Sequence, residues 1–206
     1  MKKTLIYLLL FPTLLSLWGC PGECVGPEYI FNTAIKVSPE RDTVQLGDTL
    51  WLKGSIPDVL KDSLSKIMVE YRNAKVILSL QFIEVLKTDR MQTSLANVPD
   101  KFSFVSTIGR IYTPRLPTWR DIETAYIGNT YQYEVGIIPK EAGTFFIEAA
   151  HAGIANIESK KNRCEGAELY QHFDVKNINF HLLEPYNLDF PYGTRGKYAF
   201  IVIPKK

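Results

Sequence analysis

The segment KVILSLQFIEVLK, from Lys75 to Lys87, gives the strongest structural signal in the chain. In an extended chain, successive side chains point to opposite faces. Apolar side chains occupy both faces of this segment, with Val76, Leu78, Leu80 and Phe82 on one face and Ile77, Ile83 and Val85 on the other. The pattern predicts a long, largely buried strand in the centre of a sheet.

Other segments also have the length and the apolar pattern of strands. They are residues 42–46, 49–54, 101–108, 131–138, 144–150, 169–175, 178–183 and 197–203. Gly47-Asp48 separates the first two, which indicates a hairpin or a kinked edge strand, and Pro139 begins a turn between 131–138 and 144–150. The last segment is apolar on both faces, so we expect it to pair on both sides.

Three stretches are predicted to lie outside the strands. Apolar residues recur at helical spacing within residues 57–71, which predicts one short helix there. Residues 88–100 are mostly polar and are predicted to be a loop. Residues 113–128 contain two prolines and are predicted to leave the sheets.

About nine short strands with almost no helix indicate an all-β protein, a β-sandwich. Residues 43–54, TVQLGDTLWLKG, and residues 139–147, PKEAGTFFI, resemble the early and late strands of bacterial immunoglobulin-like domains. The resemblance implies an immunoglobulin-like β-sandwich with at most one or two short helices. Such a domain has about 100 residues, so roughly 70 more must lie in insertions or extra strands.

The composition is that of an ordinary globular protein, with 206 residues, 46% hydrophobic and 22% charged. It excludes a disordered chain, a coiled coil and collagen. Lys2 and Lys3 account for the net charge of +2, so the remainder is neutral. Basic residues occur in nothing longer than pairs such as Lys160-Lys161, which excludes a nucleic-acid partner.

Residues 1–19 have the pattern of a signal peptide. Two lysines precede a largely apolar run, and small Gly19 ends the segment. The run is too short for a spanning helix, which needs about 20 apolar residues, and it contains a proline.

The last residues of this segment, Leu17-Trp18-Gly19-Cys20, resemble the bacterial lipobox. The resemblance implies that the Cys20 thiol takes a diacylglyceryl group and that several acyl chains anchor the protein to a membrane. The alternative is a plain secretory signal with Cys20 left as a free thiol. The organisation predicted is a signal peptide at 1–19, a tether at 20–33 and a single β domain at 34–206.

This organisation is similar to that of uncharacterised envelope lipoproteins of Bacteroidota. Surface-exported members of that group carry an acidic cluster after the acylated cysteine, and here Glu23 stands alone. The resemblance implies an outer-membrane lipoprotein on the periplasmic face rather than on the cell surface.

Two cysteines, Cys24 and Cys164, remain after Cys20. The compartment to which the protein is exported permits disulfides, and the even number of remaining cysteines favours a bond between them. Two separate thiols are the alternative, because spacing alone does not give connectivity.

The sequence carries no catalytic motif, and it predicts neither an enzyme nor a cofactor. His151, His172 and His181 stand in no metal-binding arrangement, so no metal site is predicted. Histidines at strand ends or on the surface are the expected alternative.

Aromatic residues in stretches that contain proline or glycine are candidates for ligand binding, because a flat ring covers a sugar face or anchors an interface. They are Tyr112, Trp119, Tyr126, Tyr186 and Tyr192. Lids on the sandwich core are the competing interpretation.

Three segments, Asp42-Thr43-Val44, Asp48-Thr49-Leu50 and Asp62-Ser63-Leu64, resemble the acceptor pattern for O-glycosylation in Bacteroidota. The resemblance implies modification at Thr43, Thr49 and Ser63. The alternative is that Asp-Thr occurs here because these residues suit the start of a strand.

These observations predict a lipid-anchored, non-catalytic structural or interaction module whose partner is the membrane together with an envelope protein or a glycan. The alternative function is a surface glycan-binding lipoprotein that uses the loop aromatics.

Overall fold

A computed structural model of the chain describes residues 28–72, 74–87, 93–149, 152–155, 166–188, 190 and 196–205. Nearly all of its regular structure is β. The strands are β1 Glu28–Ser38, β2 Thr43–Gln45, β3 Leu50–Pro57, β4 Val59–Lys61, β5 Met68–Glu70, β6 Lys75–Lys87, β7 Thr93–Asn97, β8 Phe102–Ile108, β9 Arg110–Tyr112, β10 Trp119–Glu123, β11 Ala125–Ile127, β12 Thr130–Pro139, β13 Gly143–Ala149, β14 Ala152–Ala155, β15 Gly166–Phe173 and β16 Lys197–Ile203. Three-residue 3-10 turns occupy Pro99–Lys101, Phe180–Leu182 and Glu184–Tyr186.

The strands form two sheets that pack on a common core as a β-sandwich, which confirms the predicted all-β fold class. In the first sheet, β12 pairs antiparallel with β3 on one edge and with β8 and β11 on the other. In the second sheet, β13 and β10 pair with overlapping parts of β6, at Leu80 and Gln81, so they lie on opposite sides of it. β6 is therefore central in its sheet, as predicted. Beyond β13 follow β16 and then β2, which runs parallel to β16.

Two strands connect the sheets along one side. β1 pairs with β3 through its last residues and runs parallel to β15 over the rest of its length. β15 pairs in turn with β14, which continues the course of β13 along β6. The strand order is accordingly β11-β12-β3-β1-β15-β14-β6-β13-β16-β2.

The strand directions place several chain segments at one end of the sandwich. β1 is antiparallel to β3, and β3 pairs antiparallel with β12 so that Pro57 lies opposite Thr130. The start of β1 at Glu28 therefore lies at the same end as Pro57 and Thr130. We call this the entry end, because the first described strand begins there at Glu28.

The core lies between the sheets and is rich in aromatic residues. Leu78, Leu80 and Phe82 of β6 are 0 to 1% exposed, and Tyr198 and Phe200 of β16 are equally buried. Residues 180–190 cover a smaller cluster on the outer side of the second sheet, around Phe146 and Ala199. β16 pairs on both sides, as its two apolar faces predict.

The predicted helix within 57–71 is wrong, because β4 and β5 form a hairpin there. The carboxylate of Asp62 determines the tip of this hairpin. It accepts hydrogen bonds from the backbone N–H groups of Leu64 and Ser65, at 3.2 and 2.5 Å, and from that of Ile30 at 2.8 Å. Side chains of this type compete with helical hydrogen bonds, and here the turn is favoured.

Four other expectations are corrected. Residues 28–33, which were predicted to belong to the tether, are part of β1, and the loop predicted at 88–100 contains β7. Residues 113–128 contain β10 and β11, because Ile122 supplies a fully buried side chain. Residues 178–183 form no strand, since Asn179 is left-handed with φ 59°.

The two predicted strand pairs separated by turns do not form hairpins. β2 pairs with β16 whereas β3 pairs with β12, and β12 and β13 likewise lie in different sheets. Both turns carry the chain from one sheet to the other.

Replacing Phe200 by Ala should lower the free energy of unfolding by about 3–5 kcal/mol, the range typical of a buried Phe-to-Ala change. Phe200 is 1% exposed, and its ring centroid lies 6.0 Å from that of Phe145. Leu116, which is 64% exposed, provides the control, and Leu116→Ala should change the value by about 0.5 kcal/mol or less. Urea unfolding measures both, and equal effects would contradict the placement of β16 in the core.

Asp62 should make stability depend on pH. Its hydrogen bonds, that from the Ser65 hydroxyl foremost, lower the pKa of its carboxyl from 3.8 to about 2. The unfolded chain then binds more protons between these values, so this contribution to stability is complete above about pH 4 and is lost as the pH falls toward 2. Asp62→Asn should therefore cost less stability at pH 2 than at pH 6.

Urea unfolding across this pH range tests the prediction, with the exposed Asp174 as the control in Asp174→Asn. A cost of Asp62→Asn that is the same at pH 2 and pH 6 would contradict it.

Candidate functional site

The second sheet forks where β13 passes into β14. Gly143 to Glu148 have β16 as their outer neighbour, whereas Ala152 and Gly153 have β15. Between them, the Ala149 N–H donates to the carbonyl of Gly196 at 2.8 Å. A Cβ atom on Gly196 would lie 3.2 Å from the Ala149 oxygen and 3.5 Å from the Gln171 oxygen. Three backbones thus approach closely at the fork, which favours glycine at 196.

A cavity of about 1010 Å³ opens at this fork, and we call it the fork cleft. Its polar lining residues are Asn32, Glu148, Tyr170, Gln171, His172 and Lys197. Four strands supply them, namely β1, β13, β15 and β16. The cleft is therefore a product of strand pairing and not of one local motif.

Side chains from both faces of β15 border the cleft. Leu169 and Phe173 are buried in the core, and Tyr170 and His172 point to the opposite face, where each is half-buried. Gln171 is on the core side and 8% exposed, and its Oε1 has no hydrogen-bond partner within the described residues.

The two charged groups of the cleft neutralise each other. Glu148 and Lys197 are register partners in β13 and β16, and the Lys197 Nζ lies 2.8 Å from the Glu148 Oε1. Lys197 is only 7% exposed, and its ammonium also lies 5.4 Å from the centroid of the Phe190 ring. A buried charge of this kind needs such a partner. The remaining polar groups, two amides, a phenol and an imidazole, favour uncharged polar ligands.

One wall of the cleft includes an open strand edge. β15 pairs with β1 from Gly166 to Phe173, but with β14 only at Glu168 and Leu169. Among the described residues, Gln171 to Phe173 thus have a strand partner on one side only. Unpaired backbone groups at a sheet edge can accept a further strand.

The predicted ligand aromatics are dispersed in the structure. Tyr186 lies at the far end of β6, where the Lys87 Nζ is 5.1 Å from its ring, and Tyr126 lies in β11 at the Val76 end. At about 3.3 Å per residue, these ends of β6 are roughly 36 Å apart. Tyr112 and Trp119 lie between them on the β9–β10 hairpin, and both are half-buried.

Two of these tyrosines are engaged by neighbouring side chains. The Tyr126 hydroxyl donates to the Asp58 carboxylate at 2.7 Å, and this hydrogen bond raises the pKa of Tyr126. The Tyr186 hydroxyl donates to the Thr144 Oγ1 at 3.1 Å. The described aromatics thus form no single surface.

The predicted glycosylation residues are partly enclosed. Thr43 donates to the Asp42 carboxylate at 3.0 Å, the methyl group of Thr49 lies over Gly136, and the Ser63 Oγ accepts from Asn32 at 2.8 Å. All three are half-buried. Modification at Thr43, Thr49 and Ser63 stays a prediction.

His172 borders the cleft, and the His181 Nε2 lies 3.9 Å from the Asp42 carboxylate. In the parts of the chain that the structure describes, no three His, Cys, Asp or Glu side chains lie close enough to share a metal ion. Five residues singled out in the sequence lie outside the described residues, namely Cys20, Cys24, His151, Cys164 and Tyr192.

Sequence reasoning missed most of the cleft. Of its lining residues, only His172 was singled out in the sequence, as a possible metal ligand. Asn32, Glu148, Tyr170 and Lys197 belong to no recognisable sequence motif. Lys197 does stand directly before the apolar run YAFIVI, which is an unusual place for a buried cation.

No helix in the described part of the chain is both long enough and apolar enough to cross a bilayer. No protein-family model and no curated protein matches the chain. Among solved structures, the chain is similar to a cohesin module from a family 33 glycoside hydrolase of Clostridium perfringens. The identity is 14% over 71% of this chain and 99% of that module, with a TM-score of 0.32.

Proposed function

We propose that the chain is a lipid-anchored, non-catalytic interaction module of the bacterial cell envelope, and that an extended segment of a partner protein binds in its fork cleft. The observation that carries this proposal is the edge of β15 in the cleft wall, from Gln171 to Phe173, which pairs with β1 on one side only among the described residues. A peptide strand added there would pair its backbone with this edge.

The chemistry of the cleft supports binding rather than catalysis. Glu148 and Lys197 are held together at 2.8 Å, so each stabilises the other's charge. The Asn32 amide, the Tyr170 phenol and the His172 imidazole can exchange hydrogen bonds with peptide groups or uncharged side chains. The lining also has apolar parts, at Ile178 and Phe173, which an uncharged peptide can cover.

The position of the cleft suits a protein anchored at Cys20. Glu28 follows Cys20 by eight positions in the sequence, and eight extended residue steps span at most about 29 Å. Gln171 is paired with Thr33, five residues further along β1, which is roughly 17 Å from the entry end. A partner in or near the same membrane can therefore reach the cleft. The lipobox and the lone Glu23 favour the periplasmic face of the outer membrane for this anchor.

The glycan-binding alternative has less support, because it requires the aromatics to act together. Tyr126 and Tyr186 lie at opposite ends of β6, and no described aromatic pair joins Tyr112 or Trp119 to either.

Site-specific photo-crosslinking in the native envelope tests the proposal. A benzophenone amino acid at Tyr170, in the cleft, should give an adduct with one envelope protein, because the open edge of β15 holds its segment there. The same amino acid at Tyr112, which is also a half-buried tyrosine, is the matched control and should give none. Mass spectrometry identifies the adducts.

The absence of a protein adduct at Tyr170, or the same adducts at both positions, would contradict the proposal. A carbohydrate adduct at Tyr112 alone would favour the glycan-binding alternative.

A further inference from the structure

Exposed apolar side chains gather at the entry end of the sandwich. Nine large apolar side chains are exposed among the described residues, and five of them lie at this end. They are Leu64, Ile67, Met68, Tyr126 and Ile127, and we call this surface the apolar end. Clustered exposed apolar groups mark interaction sites, whereas scattered ones need no explanation.

The β4–β5 hairpin holds the first three of these side chains away from the core. Its tip is fixed to β1, because the Ser63 N–H donates to the Ile30 carbonyl at 2.7 Å and the Ile30 N–H donates to the Asp62 carboxylate at 2.8 Å. Leu64 and Met68 remain 70% and 62% exposed. A tip that is already ordered loses little conformational entropy when its apolar groups are buried by a partner.

The base of the hairpin is tied to the β11–β12 turn, which carries the other two side chains. The Asp58 N–H donates to the Asn129 carbonyl at 3.0 Å, and the Tyr126 hydroxyl donates to the Asp58 carboxylate at 2.7 Å. Hairpin and turn thus form one surface across the end of the domain.

The charges beside this surface fit lipid headgroups. Lys61 is exposed at the end of β4 and Lys66 is exposed in the hairpin tip, where its ammonium donates to the Ser63 carbonyl, whereas Arg72 is paired with Glu70 at 2.5 Å. Exposed lysines beside apolar side chains, with an interfacial tyrosine, favour binding at a bilayer surface that carries anionic phosphates.

We propose that the apolar end docks onto the lipid bilayer to which Cys20 is anchored. This inference rests on the lipid anchor of the proposed function. Ile30, beside the hairpin tip, follows Cys20 by ten positions, and ten extended residue steps span at most about 36 Å. The anchor therefore keeps the apolar end within reach of the bilayer, and the strand directions turn this end, rather than the opposite one, toward the membrane.

Tryptophan fluorescence in vesicles tests the docking. The full-length lipoprotein carrying Leu64→Trp is reconstituted into vesicles of phosphatidylethanolamine and phosphatidylglycerol, with and without bromine on the acyl chains. Brominated lipid should quench the added emission about twofold or more, because docked side chains enter about 5–10 Å into the boundary between headgroups and acyl chains. Leu116→Trp is the matched control, since Leu116 is 64% exposed and lies outside the entry end, and its emission should not change.

Vesicle flotation, measured on the same samples, distinguishes the docking from the anchor. Flotation of the protein but not of a Cys20→Ala variant, together with quenching at position 64 only, supports the docking. Flotation without quenching at position 64, or with equal quenching at positions 64 and 116, overturns the docking and leaves the anchor intact. If the lipoprotein without substitutions does not float, both the docking and the lipid anchor are overturned.

Discussion

β1 pairs in parallel with β15, from Glu28 beside Gly166 to Ile35 beside Phe173, and this pairing joins the two sheets along one side of the sandwich. β1 reaches the first sheet through β3, and β15 reaches the second through β14. β15 pairs with β1 and β14, whereas β16 pairs with β13. The second sheet therefore divides at Ala149, between β13 and β14. The fork cleft, the open edge of β15 and the position of the entry end all result from this pairing.

The cleft and the entry end differ in chemistry in a way that matches their places in the fold. Glu148 and Lys197 can be buried at the fork because they are register partners and neutralise each other. At the entry end, Asp62 uses its carboxylate to order a hairpin tip, which leaves Leu64 and Met68 in solvent. One surface is thus suited to a polar chain and the other to lipid.

The sequence predicted the parts of the fold that local pattern controls. β6 and β16 are apolar on both faces, and such strands are central whichever partners they find. The helix expected around Leu60 does not form, because the Asp62 carboxylate accepts four hydrogen bonds that favour a turn over a helix. The cleft could not be predicted, because Asn32, Glu148 and Lys197 meet only through pairings between distant strands. The described aromatic residues near prolines and glycines, which were predicted to bind a ligand, are dispersed in the fold.

Non-reducing peptide mapping of the exported protein tests the β1–β15 pairing most directly. Cys24 precedes Glu28 by four residues and Cys164 precedes Gly166 by two, and Glu28 and Gly166 are register partners. At up to about 3.6 Å per residue, the four and two residues that lead from this register pair to the cysteines are long enough for the two Cα atoms to come within the about 4.4–6.8 Å that a disulfide requires. The account predicts a Cys24–Cys164 disulfide-linked peptide. Free thiols at both positions would contradict it.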